Sequence, residues 1–451
     1  MGDIDQTRPN KKFVRLIMTT DVKSTGATDS IDTYVQPTVL NIIPNVLCQH
    51  ADAAAALSMD RFYALQSSDY DIHDLSTLES RLEANIDGLF ISGEEGWPHY
   101  EKHLAAGDYG EVFVISVLAI KLHNNKYFQL AFEMAGEDEE LLNAIADAFI
   151  WLPYNEVSSY LDLLYNIKNP QKQFVAIAAS AGHRQIDHNH LADALTSTNI
   201  MLLTRAILAC AEVGEKSLLP KLDDCLTHEE ESVQFAAYWT MTRFGSAKAI
   251  DQLTLFLANP LYAERVMLFE VMQKDVNKTV SLLRQLFQNP KTKRLSIFGM
   301  GLLGNPVSID ALIKVMHDEE LARVAGEAFS FITGVDIEYE DLDMDAPEDF
   351  EGGPNDNPKD ENIDMDRDED LPWPNPELVS MWWKENKKCF NPDKKYILGK
   401  EISFSQFEQV LIHGTQIQRE FAALSIAVRQ QNEPIFNTKA PAKRQMQLLG
   451  M

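Results

Sequence analysis

Apolar residues recur along most of the chain in blocks of roughly a dozen residues at helical spacing, separated by short polar breaks. In VQFAAYWTMTRFGSAKAIDQLTLFLANP, residues 233–260, the first block sets Val233, Ala236, Ala237, Thr240 and Met241 on one side. The second block does the same with Ile250, Leu253, Phe256 and Leu257. Both follow the i, i+3, i+4, i+7 pattern of an amphipathic helix.

The breaks are periodic as well. Asn-Pro stands at Asn169-Pro170, Asn259-Pro260 and Asn289-Pro290, at intervals of 90 and 30 residues, and Asn199 falls on the same grid. A second series, Pro153, Gly182, Gly214, Gly245, Asp275, Gly304 and Gly334, advances in steps of 29 to 32 residues. Asn-Pro suits a helix start, because Asn caps free amides and Pro occupies the first turn, where no donor is needed. Glycine suits a helix end, where a left-handed residue closes the last turn. One unit is therefore helix, glycine turn, helix, Asn-Pro turn. A hairpin of this size cannot bury both of its apolar faces alone, and stacking on like neighbours buries them. The expected fold is all-α: an α-solenoid of HEAT-like helical-hairpin repeats with N- and C-terminal helical caps.

This period also accounts for a literal GxGxxG at Gly299, Gly301 and Gly304. A dinucleotide loop needs a preceding strand and a helix running through its third glycine. Here Asn305-Pro306 follows at once and breaks such a helix, while Gly304 takes its place in the series of turn glycines.

The expected organisation is a disordered tail over 1–35, a helical cap over 36–110 and about seven helix pairs over 111–335. An acidic disordered linker over 336–370 and a C-terminal helical segment over 371–451, packing on the last repeat, complete it. Within the cap, Leu75, Leu78, Leu82, Ile86 and Leu89 share a helix face. Ser76 with Glu79 reads as a capping box, and Gly93 and Gly96 as the helix end. Asn375-Pro376 starts a helix with Glu377 in its favourable first turn.

Charge changes the picture of partners. The 451 residues carry a formal net charge of -28, which repels phosphate backbones and argues against nucleic acid. Residues 336–370 hold 17 acidic residues against Lys359 and Arg367, whereas 371–451 are mildly basic. Cys48, Cys210, Cys225 and Cys389 are scattered without CxxC spacing, which suits a reducing compartment. No signal-peptide pattern and no run of about 18 apolar residues is present, so the expected setting is cytoplasmic, away from membranes.

Catalytic patterns are thin. HYEKH, His99 to His103, lacks the Glu that a zincin carries after its first His. HRQIDHNH supplies His183, Asp187, His188 and His190 just past a turn glycine, where polar turn residues belong. DMDRDED, residues 364–370, has neither the sixth-position Gly nor the twelfth-position Glu of an EF-hand. Neither GxSxG nor GxxxxGK[ST] occurs. No cofactor, metal or catalytic residue is assigned. Trp373, Trp382 and Trp383 lie close together and read either as a lid on the last repeat or as a patch for docking a partner.

RLEANIDGLFISGEEGW (81–97), LPWPNPELVSMWW (371–383), YILGKEIS (396–403) and TKAPAKRQ (438–445), set around thirty-residue helical repeats, resemble an uncharacterised proteobacterial family of HEAT-like-repeat proteins. The resemblance covers most of the chain from about residue 40. It carries over no functional residues and implies an accessory or adaptor role, since members are often associated with type VI secretion gene clusters. The leading functional expectation is a non-enzymatic scaffold or adaptor for another protein, its oligomeric state open. The alternatives are a HEAT-like-repeat lyase acting on a protein-bound chromophore and a calcium-responsive regulator using the acidic segment.

Overall fold

A computed structural model describes residues 42–348, 350, 352–353 and 366–451. The tail expected over 1–35 lies outside these residues, as do residues 354–365 of the acidic segment. The chain divides into two compact units. Unit 1 takes in the described residues up to Leu65, with His73–Leu222 and Lys439–Met451; unit 2 takes in Gln66–Ile72 and Asp223–Thr438.

In unit 1 the helices α1 (Pro44–Ala64) and α2 (Ile72–Tyr100) precede a two-layered stack. The front layer is α3 (Tyr109–Lys121), α5 (Glu139–Trp151), α7 (Pro170–Gly182) and α9 (Ile200–Val213), each packed on the next. Behind it lie α4 (Asn125–Ala135), α6 (Tyr154–Asn166) and α8 (His188–Ala194). Front helices are apolar nearly all round: Val112 to Ala119 of α3 are buried without a gap. A helix covered on several sides needs such a surface. The N-caps follow the predicted chemistry, with Asn124, Asp138, Asn169, Asp187 and Asn199 each accepting backbone amides of the helix they open.

In unit 2 the front layer is α10 (Glu231–Arg243), α12 (Pro260–Gln273), α14 (Pro290–Leu303) and α16 (Ala322–Thr333). Behind it lie α11 (Ala247–Leu253), which tightens into a 3-10 turn over Thr254–Ala258, α13 (Val276–Phe287) and α15 (Ile309–Val315). Val233, Ala236, Ala237, Thr240, Ile250, Leu253, Phe256 and Leu257 are buried; Met241 is only half-buried. The C-terminal part begins with α17 (Pro376–Asn386), capped by Asn375 and packed on α15. A two-residue hairpin follows, β1 (Tyr396–Ile397) antiparallel to β2 (Lys400–Glu401), with Tyr396 opposite Glu401. Then come α18 (Phe404–His413) and α19 (Gln416–Arg429), packed on each other, while α20 (Ala442–Leu449) belongs to unit 1.

Two kinds of end recur among the front-layer helices. Gly214, Gly304 and Gly334 take left-handed conformations at the ends of α9, α14 and α16. At α5 and α12, where the series has Pro153 and Asp275, the chain instead leaves the helix extended at Leu152 and Lys274. The last carbonyls there take donors from the C-terminal segment. Within unit 1, Arg444 donates to Ile150 O at 2.8 Å and Leu152 O at 2.9 Å. Within unit 2, Lys395 Nζ donates to Val271 O at 3.1 Å. A cation at this end also meets the negative pole of the helix. Gly182 departs from the series: it is the last residue of α7, and Arg184 carries the positive φ. Its glycine packs closely on α5: a Cβ there would stand 2.2 Å from Ile150 Cδ1, and that side chain would have to shift.

Two expectations about the cap need correction. Ser76 and Glu79 lie inside α2, which starts at Ile72, so they form no capping box. Glu79 is buried and binds Arg61 Nε at 2.7 Å and the Ala442 amide at 2.6 Å. Gly93 breaks α2 with a φ of 58°, yet helix resumes and runs to Tyr100 past Gly96.

Candidate protein-interaction surface

Three charged residues stand near the starts of successive front helices of unit 2: Glu264 on α12, Arg294 on α14 and Arg323 on α16. The first two are 30 residues apart and the next step is 29, so the repeat itself places them in register. The end of the acidic segment lies on them. Arg294 holds both carboxylate oxygens of Asp368, with Nη1 to Oδ2 at 2.6 Å. Arg323 Nη2 reaches Asp366 at 2.7 and 2.9 Å, and its Nη1 donates to Asp368 O at 2.8 Å. Arg367, between the two acids, turns to Glu264 at 3.0 Å. Asp366 Oδ1 also accepts the Asp368 amide, which fixes the turn.

Aromatic rings frame this contact. The Arg323 guanidinium lies 4.7 Å from the Trp373 ring and 5.0 Å from Phe350, which meet edge to face. A planar cation between rings and carboxylates keeps its orientation and presents its fork to the acids. Backbone pairing supports the ring: Met344 N donates to Trp373 O and Asn375 N to Leu342 O, around a bridge between Asp343 and Pro374.

Glu327 sits one turn past Arg323 on α16. Burial raises its carboxyl to about 7, with Asp69 and Asp368 adding to the rise and a hydrogen bond with Ser68 opposing it. Its Oε1 is buried without a hydrogen-bond partner. The folded chain thus binds this proton more tightly than the unfolded chain. The associated stability is present below the ordinary value of 4.5 and is lost as pH rises to about 7. Glu327→Gln is expected to remove that slope, stabilising unit 2 at pH 8 by up to about 3 kcal/mol. Urea midpoints of both chains at pH 4.5 and pH 8 check it; equal pH dependence in the two would contradict the reading.

The fold gives the three tryptophans different contacts. Trp373 frames Arg323, Trp382 meets Phe329 of α16 edge to face at 5.6 Å, and Trp383 is 2% exposed. Trp383 donates to Asp310 Oδ1 at 3.0 Å and packs on Phe390. All three rings therefore contact the chain's own residues.

The weaker motifs disperse. His103 bonds Asp52, His183 bonds Phe149 O, and Asp187 caps α8. His188 lies 3.4 Å from Glu215, and His190 stacks on Tyr165. Burial lowers His183 to about 4, with the Phe149 carbonyl opposing and Arg444 assisting. Among the described residues no group of three or more His, Cys, Asp or Glu is placed to hold a metal. Asp364 of DMDRDED lies outside the described residues, and Asp366 and Asp368 are taken by arginines. In the GxGxxG stretch, a Cβ on Gly299 would meet Leu283 Cδ2 at 2.5 Å and one on Gly301 would meet Ala328 Cα at 3.0 Å, so both serve helix packing. An open groove of about 440 Å³ follows one face of α13 along Asn277, Lys278, Ser281, Leu282 and Gln285, with no acid, His or Tyr in it.

Arg294, Arg323 and Glu264 carried no signal of their own in the sequence, because a charge on a helix ordinarily reads as solvated. Their spacing on the thirty-residue grid was the one available clue. Among known families, the model for HEAT repeats matches residues 189–268. No curated protein and no solved structure matches the chain. The match supports a HEAT-like repeat protein, and the described residues form an all-α solenoid fold of stacked helical repeats. Among the described residues no helix is long and apolar enough to cross a membrane.

Proposed function

We propose that the protein is a non-enzymatic scaffold or adaptor that binds another polypeptide along its front-layer helices. One observation carries the reading: side chains of helices α12, α14 and α16 already hold a stretch of polypeptide, through charge pairs and a hydrogen bond to its backbone. Stacked repeats give a long surface on which each pair contributes a few side chains, which suits recognition of a chain segment more than enclosure of a small molecule. The acidic body, at -28, steers proteins with basic or mixed surfaces toward it, an effect that weakens with salt. An accessory role at a type VI secretion apparatus is the finer form of this reading. Its support is the resemblance of the quoted motifs, and its check is whether the gene lies among secretion-apparatus genes.

Affinity capture from cells that make the protein, at low and moderate salt, tests the scaffold. The expected result is a protein partner that cross-links to front-layer residues and is retained less well as salt rises. Absence of any protein partner at both salts would overturn it.

A further inference from the structure

We infer that the Arg294–Arg323 face of unit 2 is a recognition site for an acid–base–acid stretch of polypeptide, occupied in cis by Asp366, Arg367 and Asp368 and vacated for a partner's segment of the same chemistry. This deepens the scaffold reading and rests on it.

Three consecutive residues of the segment meet three successive front helices with opposite charge at every contact: Asp366 with Arg323, Arg367 with Glu264, Asp368 with Arg294. Such a match selects a sequence. The Arg294 fork binds the Asp368 carboxylate at two points, so it fixes both the identity and the orientation of that residue. Buried ion pairs give little stability over apolar packing of the same volume. Their arrangement here is therefore better suited to choosing which segment lies on α14 and α16 than to holding the fold together.

The cis occupant is also an imperfect fit. Arg367 and Glu264 are 66% and 52% exposed, so their pair adds little. Glu327 brings a further carboxyl to Asp368 and Asp69 inside the same site. The Arg294 side chain is 31% exposed, which leaves an edge from which an incoming carboxylate can start to displace Asp368. Elsewhere the net charge of -28 repels acidic segments, so affinity for one depends on this local pair of guanidiniums.

The test uses the full chain and a labelled peptide of its own residues 364–374, DMDRDEDLPWP, followed by fluorescence anisotropy. Asp366→Asn with Asp368→Asn opens the site. This chain is expected to bind the peptide at least tenfold more tightly than wild type does. Adding Arg323→Ala is expected to reverse the gain, and a peptide with Asp366 and Asp368 changed to asparagine is expected not to bind. Equal binding by wild-type and opened chains, or equal binding of the asparagine peptide, would overturn the inference. Should circular dichroism show the double variant unfolded, Arg367→Glu at an exposed position replaces it. A gain of about threefold is then expected, and no gain refutes the site. Failures remain distinguishable. A partner captured equally by open and closed chains refutes the cis occupancy and leaves the scaffold standing. Capture of nothing by either refutes the scaffold, whatever the peptide does.

Discussion

Gly304→Ala is expected to destabilise unit 2 by about 3–5 kcal/mol, far more than a glycine substitution at an ordinary helix end. Two costs add. Gly304 has a φ of 69°, where a residue with a Cβ loses roughly 1–2 kcal/mol. A Cβ there would also stand 2.2 Å from Tyr396 O and 3.1 Å from Tyr396 N. Those are backbone atoms and cannot swing aside. The hairpin must move, and the bond from Tyr396 N to Gly304 O at 2.8 Å is lost with it. Gly450 is the control, with a φ of 73° and nothing within 4 Å of the place a methyl would take. Gly450→Ala should therefore cost only the conformational strain, roughly 1–2 kcal/mol. Urea denaturation of the two variants separates conformational strain from the clash; similar losses in both would show that β1 does not press on the end of α14.

Removal of residues 439–451 is the second large effect, and it falls on unit 1. Those residues answer groups that cannot be left alone. Arg61 and Glu79 are both buried and paired. Arg61 Nη2 donates to Lys439 O at 2.9 Å, and Glu79 Oε2 accepts the Ala442 amide. Arg444 donates to the carbonyls at the end of α5, where no glycine closes the helix. Truncation strips these partners and uncovers apolar surface beneath Ala440 and Ala442. Unmet hydrogen bonds at charged buried groups cost about 1.5–3 kcal/mol each. A loss of about 4–6 kcal/mol follows, or roughly 10–20 °C in the melting temperature of a body of this size. Arg444→Met keeps the segment and removes only the helix-end donors, so it should show about a third to a half of that loss. An unchanged melting temperature after truncation would mean that the tail merely lies on the surface.

Most of the repeat was legible because its markers are local. Asn169, Asn259 and Asn289 cap the helices they open, and Gly214, Gly304 and Gly334 turn left-handed at the ends, each through chemistry confined to a few residues. What stayed hidden depends on distant partners. Glu79 answers an amide 363 residues away, so a local rule assigned it to a capping box. Arg294 and Arg323 gain meaning only from Asp368 and Asp366, which belong to a segment whose charge reads as solvated. One clue was present without being usable locally. Pro153 and Asp275 interrupt the glycine series, and the helices ending there take their donors from Arg444 and Lys395, within the segments that looked least like repeats. TKAPAKRQ and YILGKEIS contain or adjoin those donors, which is why they stand outside the thirty-residue pattern.

The C-terminal chain closes the ends of front-layer helices and is part of each unit it touches; the rest of the account depends on that. Hydrogen–deuterium exchange of the full chain tests it most directly at Tyr396, Leu398 and Gly399, whose amides donate to Gly304 O, Phe331 O and Ile332 O. Exchange as slow as that of the buried amides in α14 and α16 is expected. Rapid exchange at these three positions, with α14 and α16 still protected, would contradict it.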